Sequence, residues 1–455
     1  MTRQEHSNIL EQLQNYITQK NNAKIVQLLD GLHAADIAEI LDDLNFDEAL
    51  YVIRLLDSDI TADIIAELDD DLQEKVLDRL TAKEIAEEIE ELETDDAADI
   101  IAELPEDKKA EVISHIDDKE HAKDIVELLR YDEDTAGGLM GKEFIKVNEN
   151  WNVLRSVAEM RKQAENVEKV HTIYVVDDND KLKGRLSLKK LLTTSTKTPI
   201  KEVYNDNIHF VNVHDSADEV ARVMQKYDLF VIPVVDELGT LVGQITIDDV
   251  VDYIKEEAEK DYQMAAGISD DVEADDDLLQ LIKARLPWLI VALLGGFVSV
   301  IVLSGFGNAM NQYGTLFFFT PLIAATAGNV GVQSSAIVVQ GLANGTLTGS
   351  IWKRLVKEIS LSLINGLVLA LILMLIGKFL LSGIVSGFDA KMALTVAISL
   401  ISVIIMASLI GTFVPLFLHK KGIDPAVATG PFITTSNDIF GIYIFFTIAK
   451  LILGF

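Results

Sequence analysis

The sequence predicts a multidomain protein with an all-α superhelical N-terminal domain, a tandem pair of α+β repeats, and an all-α polytopic membrane domain of five transmembrane helices. Charge is unevenly distributed, because residues 1–277 carry 68 acids and 29 bases, a net charge of −39, whereas the remainder carries four acids and ten bases. Apolar residues follow a helical spacing early in the chain, and β-branched runs then occur in two similar copies. An acidic soluble half is thus joined to a nearly uncharged apolar half, and each is large enough to hold its own core.

A helical-repeat domain is expected over residues 1–130. Leucine, isoleucine and valine recur there at i, i+3 and i+4, with acids on the other faces. A motif built around Asp-Ile occurs four times, at Ala35–Ile40, Ala62–Glu67, Ala98–Glu103 and Lys123–Glu127. Successive copies are 27, 36 and 25 residues apart. Spacing of this order indicates a helical solenoid.

Two α+β copies are expected at 131–200 and 201–254, followed by a connecting helix and an acidic linker over 251–283. In each copy a β-branched strand ending in Asp precedes a second strand that contains a glycine. The corresponding pairs are Ile173–Asp178 with Leu182–Ser187, and Val231–Asp236 with Leu241–Thr246. The two glycines, Gly184 and Gly243, are 59 residues apart.

The membrane domain is expected over residues 284–455. No charged residue occurs between Arg285 and Lys353, a stretch of 67 residues. Glycine, proline and charge divide the domain into five spans long enough to cross a bilayer, at 286–304, 316–342, 357–381, 392–418 and 426–451. Basic residues cluster at three span ends, which are cytoplasmic by the positive-inside rule. We therefore expect a multi-pass protein of the plasma membrane with a cytoplasmic N-terminus and an extracellular C-terminus.

Asp438 is the residue of the apolar half that points most directly to function. It is the only carboxylate deep in a predicted span, and a charge at that depth costs roughly 2.5–3.5 kcal/mol. No Lys, Arg or His lies deep in another predicted span, so a permeating cation or a proton is the expected partner. The alternative is a carboxylate that is protonated or hydrogen-bonded to Asn or Ser and only holds helices together.

Pro321 and Pro431 fall within apolar stretches that continue into runs of small and oxygen-bearing side chains. A proline inside a helix removes a backbone donor and frees a carbonyl that lipid cannot satisfy. We therefore expect interrupted helices that line a polar cavity. Interhelical hydrogen bonds are the competing interpretation for Asn329, Gln333 and Asn437.

These features together resemble a known family. The two α+β copies resemble a pair of CBS domains, and with the acidic helical repeats and the five spans they resemble the MgtE family of magnesium transporters. The most specific segments are Thr135–Met140, Gly328–Gln333 and Asp424–Asp438. The resemblance implies a homodimer in the membrane lipid, with a pore in which Asp438 binds a largely hydrated Mg²⁺. The pore-lining residues that it implies are Asn329, Gly430, Thr434 and Asn437.

A cytosolic Mg²⁺ sensor is the second implication of the resemblance. When Mg²⁺ is abundant, ions would bridge the N-terminal and CBS domains, and an acidic connecting helix at about 251–268 would close the pore. Matched by motif and spacing, the regulatory metal ligands fall on Asp63, Asp95 and Asp99 in the N-terminal domain, on Asp228, Asp249, Asp252, Glu257 and Asp261 in the CBS pair and connecting helix, and on Asp424 at the cytoplasmic mouth.

Nucleotide binding is a further implication for the CBS pair. In CBS domains, a Thr or Ser followed three residues later by Asp commonly holds an adenosine ribose. The second copy has Thr246 and Asp249, whereas the first has Ser187 followed by Lys190. The resemblance therefore implies ATP at the second CBS domain and supports it little at the first.

The expected function is Mg²⁺ import with closure by cytosolic Mg²⁺, and the alternative is a proton-coupled or other secondary transporter of Co²⁺, Mn²⁺ or Ni²⁺. The acidic soluble half would repel nucleic acid. Zero cysteines exclude thiolate catalysis and thiolate zinc sites. An intramembrane metalloprotease would need His-Glu-x-x-His in a span, but none of the eight histidines, at 6, 33, 115, 121, 171, 209, 214 and 419, lies deep in one. The sequence also contains no Gly-x4-Gly-Lys-Ser/Thr loop for ATP hydrolysis, so a transport protein rather than an enzyme is expected.

Overall fold

The computed structural model describes residues 1–167, 169–269, 272, 278–343, 345–347, 350–379, 389–428 and 430–455. The chain divides into two compact units, Met1–Lys255 and Glu256–Phe455. Most of the acidic linker that the sequence predicts, residues 270–277, lies outside the described residues. A helical N-terminal domain, two α+β repeats and five helices of membrane-spanning length are found in the described part of the chain, which confirms the predicted fold class.

The N-terminal domain consists of short helices joined by tight turns. They are α1 (Arg3–Thr18), α2 (Asn22–Leu29), α3 (Ala34–Asp42), α4 (Phe46–Ile53), α5 (Ser58–Ala66), α6 (Asp70–Arg79), α7 (Ala82–Ile89), α8 (Thr94–Glu103), α9 (Glu106–His115) and α10 (Lys119–Leu128). Thr2 and Thr81 begin α1 and α7 with capping boxes, in which the threonine hydroxyl and a glutamate three residues later satisfy each other's backbone amides. The repeated Asp-Ile motifs place isoleucines such as Ile37, Ile64 and Ile100 in one buried core. Burial of this apolar stripe, rather than propensity, stabilises helices this short.

The two α+β repeats have the same topology. The first contains β1 (Ile145–Asn148), α11 (Val153–Gln163), β2 (Ile173–Val176), β3 (Leu182–Leu186) and α12 (Leu188–Thr193), and the second contains β4 (Val211–Asn212), α13 (Ala217–Tyr227), β5 (Val231–Val235), β6 (Leu241–Thr246) and α14 (Ile247–Ala266). In each three-stranded sheet the first two strands pair in parallel and the last two antiparallel.

The equivalent glycines of the two repeats occupy equivalent positions in these sheets. Gly184 pairs with Val175 and Gly243 with Val234. A Cβ at Gly184 would collide with the Asn205 carbonyl, and a Cβ at Gly243 would lie 2.9 Å from the Gly141 carbonyl. Both glycines therefore permit another backbone segment to pass close to the sheet.

The second unit is a bundle of long apolar helices. After α15 (Leu278–Ser304) come α16 (Gly307–Tyr313), a 3-10 segment (Gly314–Phe319), α17 (Thr320–Ala343), α18 (Ile351–Phe379), α19 (Ala390–Lys420) and α20 (Gly430–Leu453). In the described residues, five helical segments are long and apolar enough to cross a membrane. Small residues bring the helices together: Gly331 of α17 approaches Gly411 of α19, and Gly295 of α15 faces Thr435 of α20.

The expected interruption of helices at Pro321 and Pro431 needs correction. Each is the second residue of an α-helix and follows a 3-10 segment, Gly314–Phe319 or Pro425–Ala428. A proline in the first turn removes a donor that has no intrahelical partner in any case. These prolines therefore begin α17 and α20 rather than break them. The prolines inside long helices are instead Pro287 of α15 and Pro415 of α19, which the sequence analysis did not single out.

Candidate ion-binding and sensor sites

One face of α20 carries three of the residues predicted to form a pore. Gly430, Thr434 and Asp438 follow one another at intervals of four, so they lie on the same side of the helix. The Thr434 hydroxyl donates to the Gly430 carbonyl at 3.0 Å. Asp438 is half-buried, and among the described residues it has no hydrogen-bond or ion-pair partner. Its carboxylate is therefore available to a cation.

Helix α17 packs against the face of α20 that carries Thr434 and Asp438. A Cβ at the buried Gly328 would lie 3.2 Å from Cγ2 of Thr434 and 3.9 Å from Oδ1 of Asp438. Since Gly328 has no side chain, the Asp438 carboxylate borders bare helix backbone. The next residue, Asn329, is exposed. The structure thus brings Asp438 and Thr434 of α20 next to Gly328 of α17, and the pore-lining role of Asn329 stays a prediction.

Asn437 has a different environment from the rest of the predicted pore set. Its side chain is fully buried, and both amide atoms are without a hydrogen-bond partner in the described part of the chain. It packs against Gly331, where any Cβ would collide with its amide nitrogen. Its role as a pore-lining residue stays a prediction, and the structure places it in the interior between α17 and α20.

Glu358 is a second intramembrane carboxylate that the sequence analysis did not weigh. It lies in the second turn of α18, and the Ser334 hydroxyl of α17 donates to its Oε1 at 2.6 Å. One turn further along the same face of α18, the Ser362 hydroxyl donates to the Ser408 hydroxyl of α19 at 2.6 Å. Unlike Asp438, Glu358 is occupied by a protein partner, which fits the role of a polar contact between helices.

The connecting helix predicted at about 251–268 is the major part of α14. It ends at Ala266, and the following Gly267 has φ +84°. A Cβ at Gly267 would collide with the Pro431 ring, and a Cβ at Gly430 would collide with the Ala265 carbonyl. The end of α14 therefore touches the start of α20 at Gly267 and Gly430. Gly430 lies on the same face of α20 as Thr434 and Asp438.

A second cluster of carboxylates lies within the first unit, between α8 and the start of α14. Loss of hydration and the charge of Asp249 raise the pKa of Asp95 well above its usual range. Loss of hydration also raises the pKa of Asp249, although the hydroxyl and amide of Thr246 donate to it at 2.7 and 2.9 Å. Asp96 is exposed as a residue, but its carboxyl group is partly desolvated and faces Asp249, which raises its pKa to about 6.

Some of the predicted sensor acids belong to this cluster and others do not. The charges of Asp63 and Glu67 act on Asp96, and that of Asp252 acts on Asp249. Sequence reasoning predicted Asp63, Asp95, Asp249 and Asp252 here and missed Asp96, which follows Asp95 on an acidic helix without a distinguishing pattern.

The remaining predicted acids are found elsewhere. Asp228 ends α13 with φ 51°, and Glu257 is 3.6 Å from Lys260. Asp99 is exposed on α8, and Asp261 is half-buried on α14. Asp424 is exposed and accepts from the Ala426 amide at 2.8 Å. In the described ranges, no three His, Asp or Glu side chains are placed to hold a metal ion by themselves.

A cavity of about 720 Å³ lies between the two α+β repeats. Its lining combines cationic, hydroxyl and aromatic side chains, among them His171, Arg185, Ser187, Lys190 and Phe230. The carboxylates of Asp206 and Asp228 also line it. Thr246 and Asp249, which the sequence analysis associated with ATP, are instead bonded to each other. The sequence signal that could have located the cavity is Arg185-x-Ser187 with Lys190. In the first copy Lys190 stands where the Thr/Ser-x-x-Asp pattern has Asp.

Family models match three regions of the chain. Residues 320–448 match a family described as a divalent cation transporter, residues 32–134 match the MgtE intracellular N domain, and residues 136–196 and 200–256 match CBS domains. The magnesium transporter MgtE of Thermus thermophilus is 36% identical over 330 residues, which cover 72% of each chain. The magnesium transporter MgtE of Enterococcus faecalis is 34% identical over 329 residues, which cover 72% of this chain and 71% of the relative.

Solved structures agree for the soluble part. The crystal structure of the cytosolic domain of the Mg²⁺ channel MgtE in complex with ATP is 33% identical, with a TM-score of 0.50, and covers 54% of this chain and 99% of that chain. The crystal structure of the soluble part of a magnesium transporter is 27% identical, also with a TM-score of 0.50, and covers 56% of this chain and 99% of that chain. Since the similarity extends through the N-terminal, CBS and membrane regions, this chain belongs to the MgtE family of magnesium transporters.

Proposed function

We propose that the chain forms a homodimeric Mg²⁺ channel or transporter that imports magnesium across the plasma membrane and that cytosolic Mg²⁺ closes it. The observation that carries the proposal is Asp438, a half-buried carboxylate inside a membrane helix with no partner among the described residues. An unpaired charge at this depth is costly, and a passing cation offsets that cost. Membership of the MgtE family of magnesium transporters supports Mg²⁺ as this cation.

The surroundings of Asp438 fit a hydrated ion. Mg²⁺ prefers six oxygen ligands and dehydrates reluctantly, so it keeps several waters and needs only one or two carboxylates. One Asp438 from each protomer, with Thr434 and Asn329 nearby, would supply charge and hydrogen bonds to those waters. A pore between two protomers would combine two such carboxylates, which is consistent with the lack of a three-residue metal cluster among the described residues.

The sensor follows from repulsion between carboxylates. Asp95 and Asp96 on α8 face Asp249 at the start of α14. Without a cation these groups repel, and a bridging Mg²⁺ reverses the sign of the interaction. An ion that binds the compact arrangement better shifts the population toward it. Mg²⁺ would thus fix the start of α14, whose other end touches Gly430 and Pro431 of α20.

The remaining sensor ligands are proposed on the strength of position. Asp63 and Asp252 join the carboxylate cluster through their charges. Asp99, Asp228, Glu257, Asp261 and Asp424 would bind further regulatory ions on the acidic surface. The cytoplasmic face would be the one that carries Lys353, Arg354 and Lys420, so the N-terminus is inside and the C-terminus outside.

ATP is proposed as a ligand of the cavity between the α+β repeats. Arg185 and Lys190 would neutralise phosphates, and Phe230 would offer an aromatic face to the base. A volume of about 720 Å³ is within the range of small-molecule sites. The related cytosolic domain that was solved in complex with ATP supports this proposal.

Replacing Asp438 with Asn should reduce Mg²⁺ influx into proteoliposomes to background, because the isosteric amide cannot offset the charge of the ion. Asp389→Asn is the matched control: Asp389 caps α19 by accepting from the Met392 amide at 2.7 Å, and Asn caps helices equally well. Wild-type flux through Asp438→Asn would rule out the pore assignment. Influx that stops when a pH gradient is collapsed would favour the proton-coupled alternative.

Neutralising Asp249, Asp252, Glu257 and Asp261 together should leave the pore conducting at high internal Mg²⁺, because α14 would lose the ions that fix it. Patch-clamp currents at graded internal Mg²⁺ provide the measurement. A control with the same charge change neutralises four exposed acids of the solenoid, Asp107, Glu111, Asp117 and Glu120. Normal closure of the first variant would contradict the assignment of α14 as the gate.

In metal-free buffer, the contact between the N-terminal domain and α14 should weaken as the pH rises. The pKa of Asp96 is raised from 3.8 to about 6, and those of Asp95 and Asp249 are also raised. The compact state therefore binds more protons than the open state, so its stability is highest below about pH 4 and is lost as the pH rises through 6.

Protection of the α8 amides from hydrogen exchange between pH 5 and 8 measures this weakening, after correction for intrinsic exchange rates. Saturating Mg²⁺ should abolish the loss, and the Asp95→Asn/Asp249→Asn double variant should show a flatter profile. Protection that increases with pH without metal would contradict the proposed repulsion.

Arg185→Ala should weaken ATP binding to the detergent-purified full chain by about tenfold or more, because a charge-assisted hydrogen bond is lost. Arg222→Ala is the control, since Arg222 is exposed and pairs with Glu219 on α13 outside the cavity lining. Isothermal titration calorimetry distinguishes the two candidate positions. If Thr246→Val abolishes binding and Arg185→Ala does not, the site is at the second copy, as the sequence analysis expected.

A further inference from the structure

The first residue of α8 makes an unusual contact with the first CBS repeat. Thr94 is buried, with 2% of its surface exposed. Its amide donates to Oε1 of Glu143 at 3.1 Å, and its hydroxyl donates to Oε2 of the same carboxylate at 2.9 Å. Glu93, the residue before α8, makes no side-chain cap. A carboxylate from 49 residues further along the chain therefore caps this helix.

The contact is reinforced by the neighbouring lysine. The Lys142 amide donates to the Thr94 hydroxyl oxygen at 2.9 Å, so the hydroxyl is both donor and acceptor. The Lys142 ammonium lies 2.8 Å from Glu127 of α10, and its side chain is only 10% exposed. Two consecutive residues of the CBS repeat thus hold two helices of the N-terminal domain.

Glu143 is itself held in place by the second sheet. The Gln244 side-chain amide of β6 donates to the Glu143 carbonyl at 2.8 Å, and the buried Tyr174 hydroxyl donates to Oε1 of Gln244 at 3.1 Å. The backbones of Gly141 and Gln244 exchange hydrogen bonds of 2.9 and 3.0 Å. The acceptor that caps α8 is therefore fixed before any ion is present.

This contact opposes the repulsion next to it. Asp95 follows Thr94 directly, and its carboxylate faces that of Asp249. We propose that Glu143 is a positioning residue of the Mg²⁺ sensor: by capping α8 through Thr94, it holds the Asp95 carboxylate opposite Asp249 without metal and so lowers the Mg²⁺ concentration at which the sensor becomes compact. The proposal rests on the proposed function and names a metal-independent part of its regulation. Preorganisation of this kind improves apparent affinity by raising the fraction of binding-competent molecules.

Glu143 also lies close to Asp95, so its negative charge repels the Asp95 carboxylate. This repulsion opposes the stabilising effect of the cap. A Cβ at Gly141 would lie 2.8 Å from Oδ2 of Asp95 and 3.1 Å from Oε2 of Glu143. Removing the charge while keeping an oxygen acceptor separates the two effects. Glu143→Gln retains a carbonyl oxygen for the Thr94 amide and relieves repulsion, whereas Glu143→Ala removes the cap.

The test is the Mg²⁺ concentration that gives half-maximal protection of the full-length protein from limited proteolysis. Thr94→Val and Glu143→Ala should each raise it about fivefold, as expected for loss of a helix cap. The double variant should show no further increase, because both substitutions remove the same contact. Thr94→Ser and Glu143→Gln should leave the midpoint at or below that of wild type. Glu165→Ala, at an exposed glutamate of the same repeat, should leave it unchanged.

Three results would overturn the proposal: unchanged midpoints in both Thr94→Val and Glu143→Ala, additive increases in the double variant, or an increase in Glu143→Gln, which would make Glu143 an ion ligand. If wild type shows no Mg²⁺ dependence, the proposed function fails, and the cap is judged separately by hydrogen exchange in metal-free buffer. There the amides of residues 94–98 should exchange faster in both single variants than in wild type. The double variant should exchange no faster than either single variant. Unchanged exchange in the single variants would reject the cap as well. Unaltered exchange in α3 and α5 confirms that the variants are folded.

Discussion

The whole molecule depends on carboxylates that have too few cationic partners within the chain. In the soluble half the excess is collective, with 68 acids against 29 bases, and it is most acute where Asp95, Asp96 and Asp249 converge. In the membrane half it is clearest at Asp438, which has no hydrogen-bond or ion-pair partner among the described residues. Neither arrangement is favourable in isolation, because like charges repel and a buried charge loses its hydration. In the proposed function, a divalent cation would offset the cost in both places.

Helix α14 begins in the first compact unit and ends in the second. Its first turn includes Asp249, and its last residues touch the start of α20 at Gly430 and Pro431. Glycine at 430 permits the Ala265 carbonyl to approach closely, so any side chain there would displace the helix. In the proposed function, an ion bound at the first turn of α14 would act on the start of α20 through this contact.

The sequence predicted the fold class and the position of Asp438, because both rest on local patterns. Apolar periodicity identifies helices, duplicated strands identify the two repeats, and a lone charge in an apolar stretch stands out. Contacts between distant segments leave no such pattern. Nothing in the spacing of Thr94 and Glu143 indicates that one caps the helix of the other, and Asp96 is one acid among many. The cavity was missed for a related reason, since Lys190 in its lining departs from the Thr/Ser-x-x-Asp motif that was sought.

The prolines show how the same physical rule can give a wrong structure when the helix boundary is misplaced. The cost of Pro321 or Pro431 arises only if a preceding turn of helix exists, and 3-10 segments take its place. The starts of α17 and α20 then leave first-turn amides without intrahelical acceptors.

Asn437 and Asp438 are adjacent polar residues of α20 with different environments. Adjacent residues on a helix point about 100° apart, and here that rotation separates a locked amide from an accessible carboxylate. Asn437 is enclosed against Gly331 with its polar atoms unpaired in the described residues. Leaving a buried amide unpaired costs free energy, which close packing of α17 against α20 offsets. Because that packing fixes the rotation of α20, it also fixes the direction of Asp438. The buried amide and the glycine opposite it therefore set the direction of the Asp438 carboxylate.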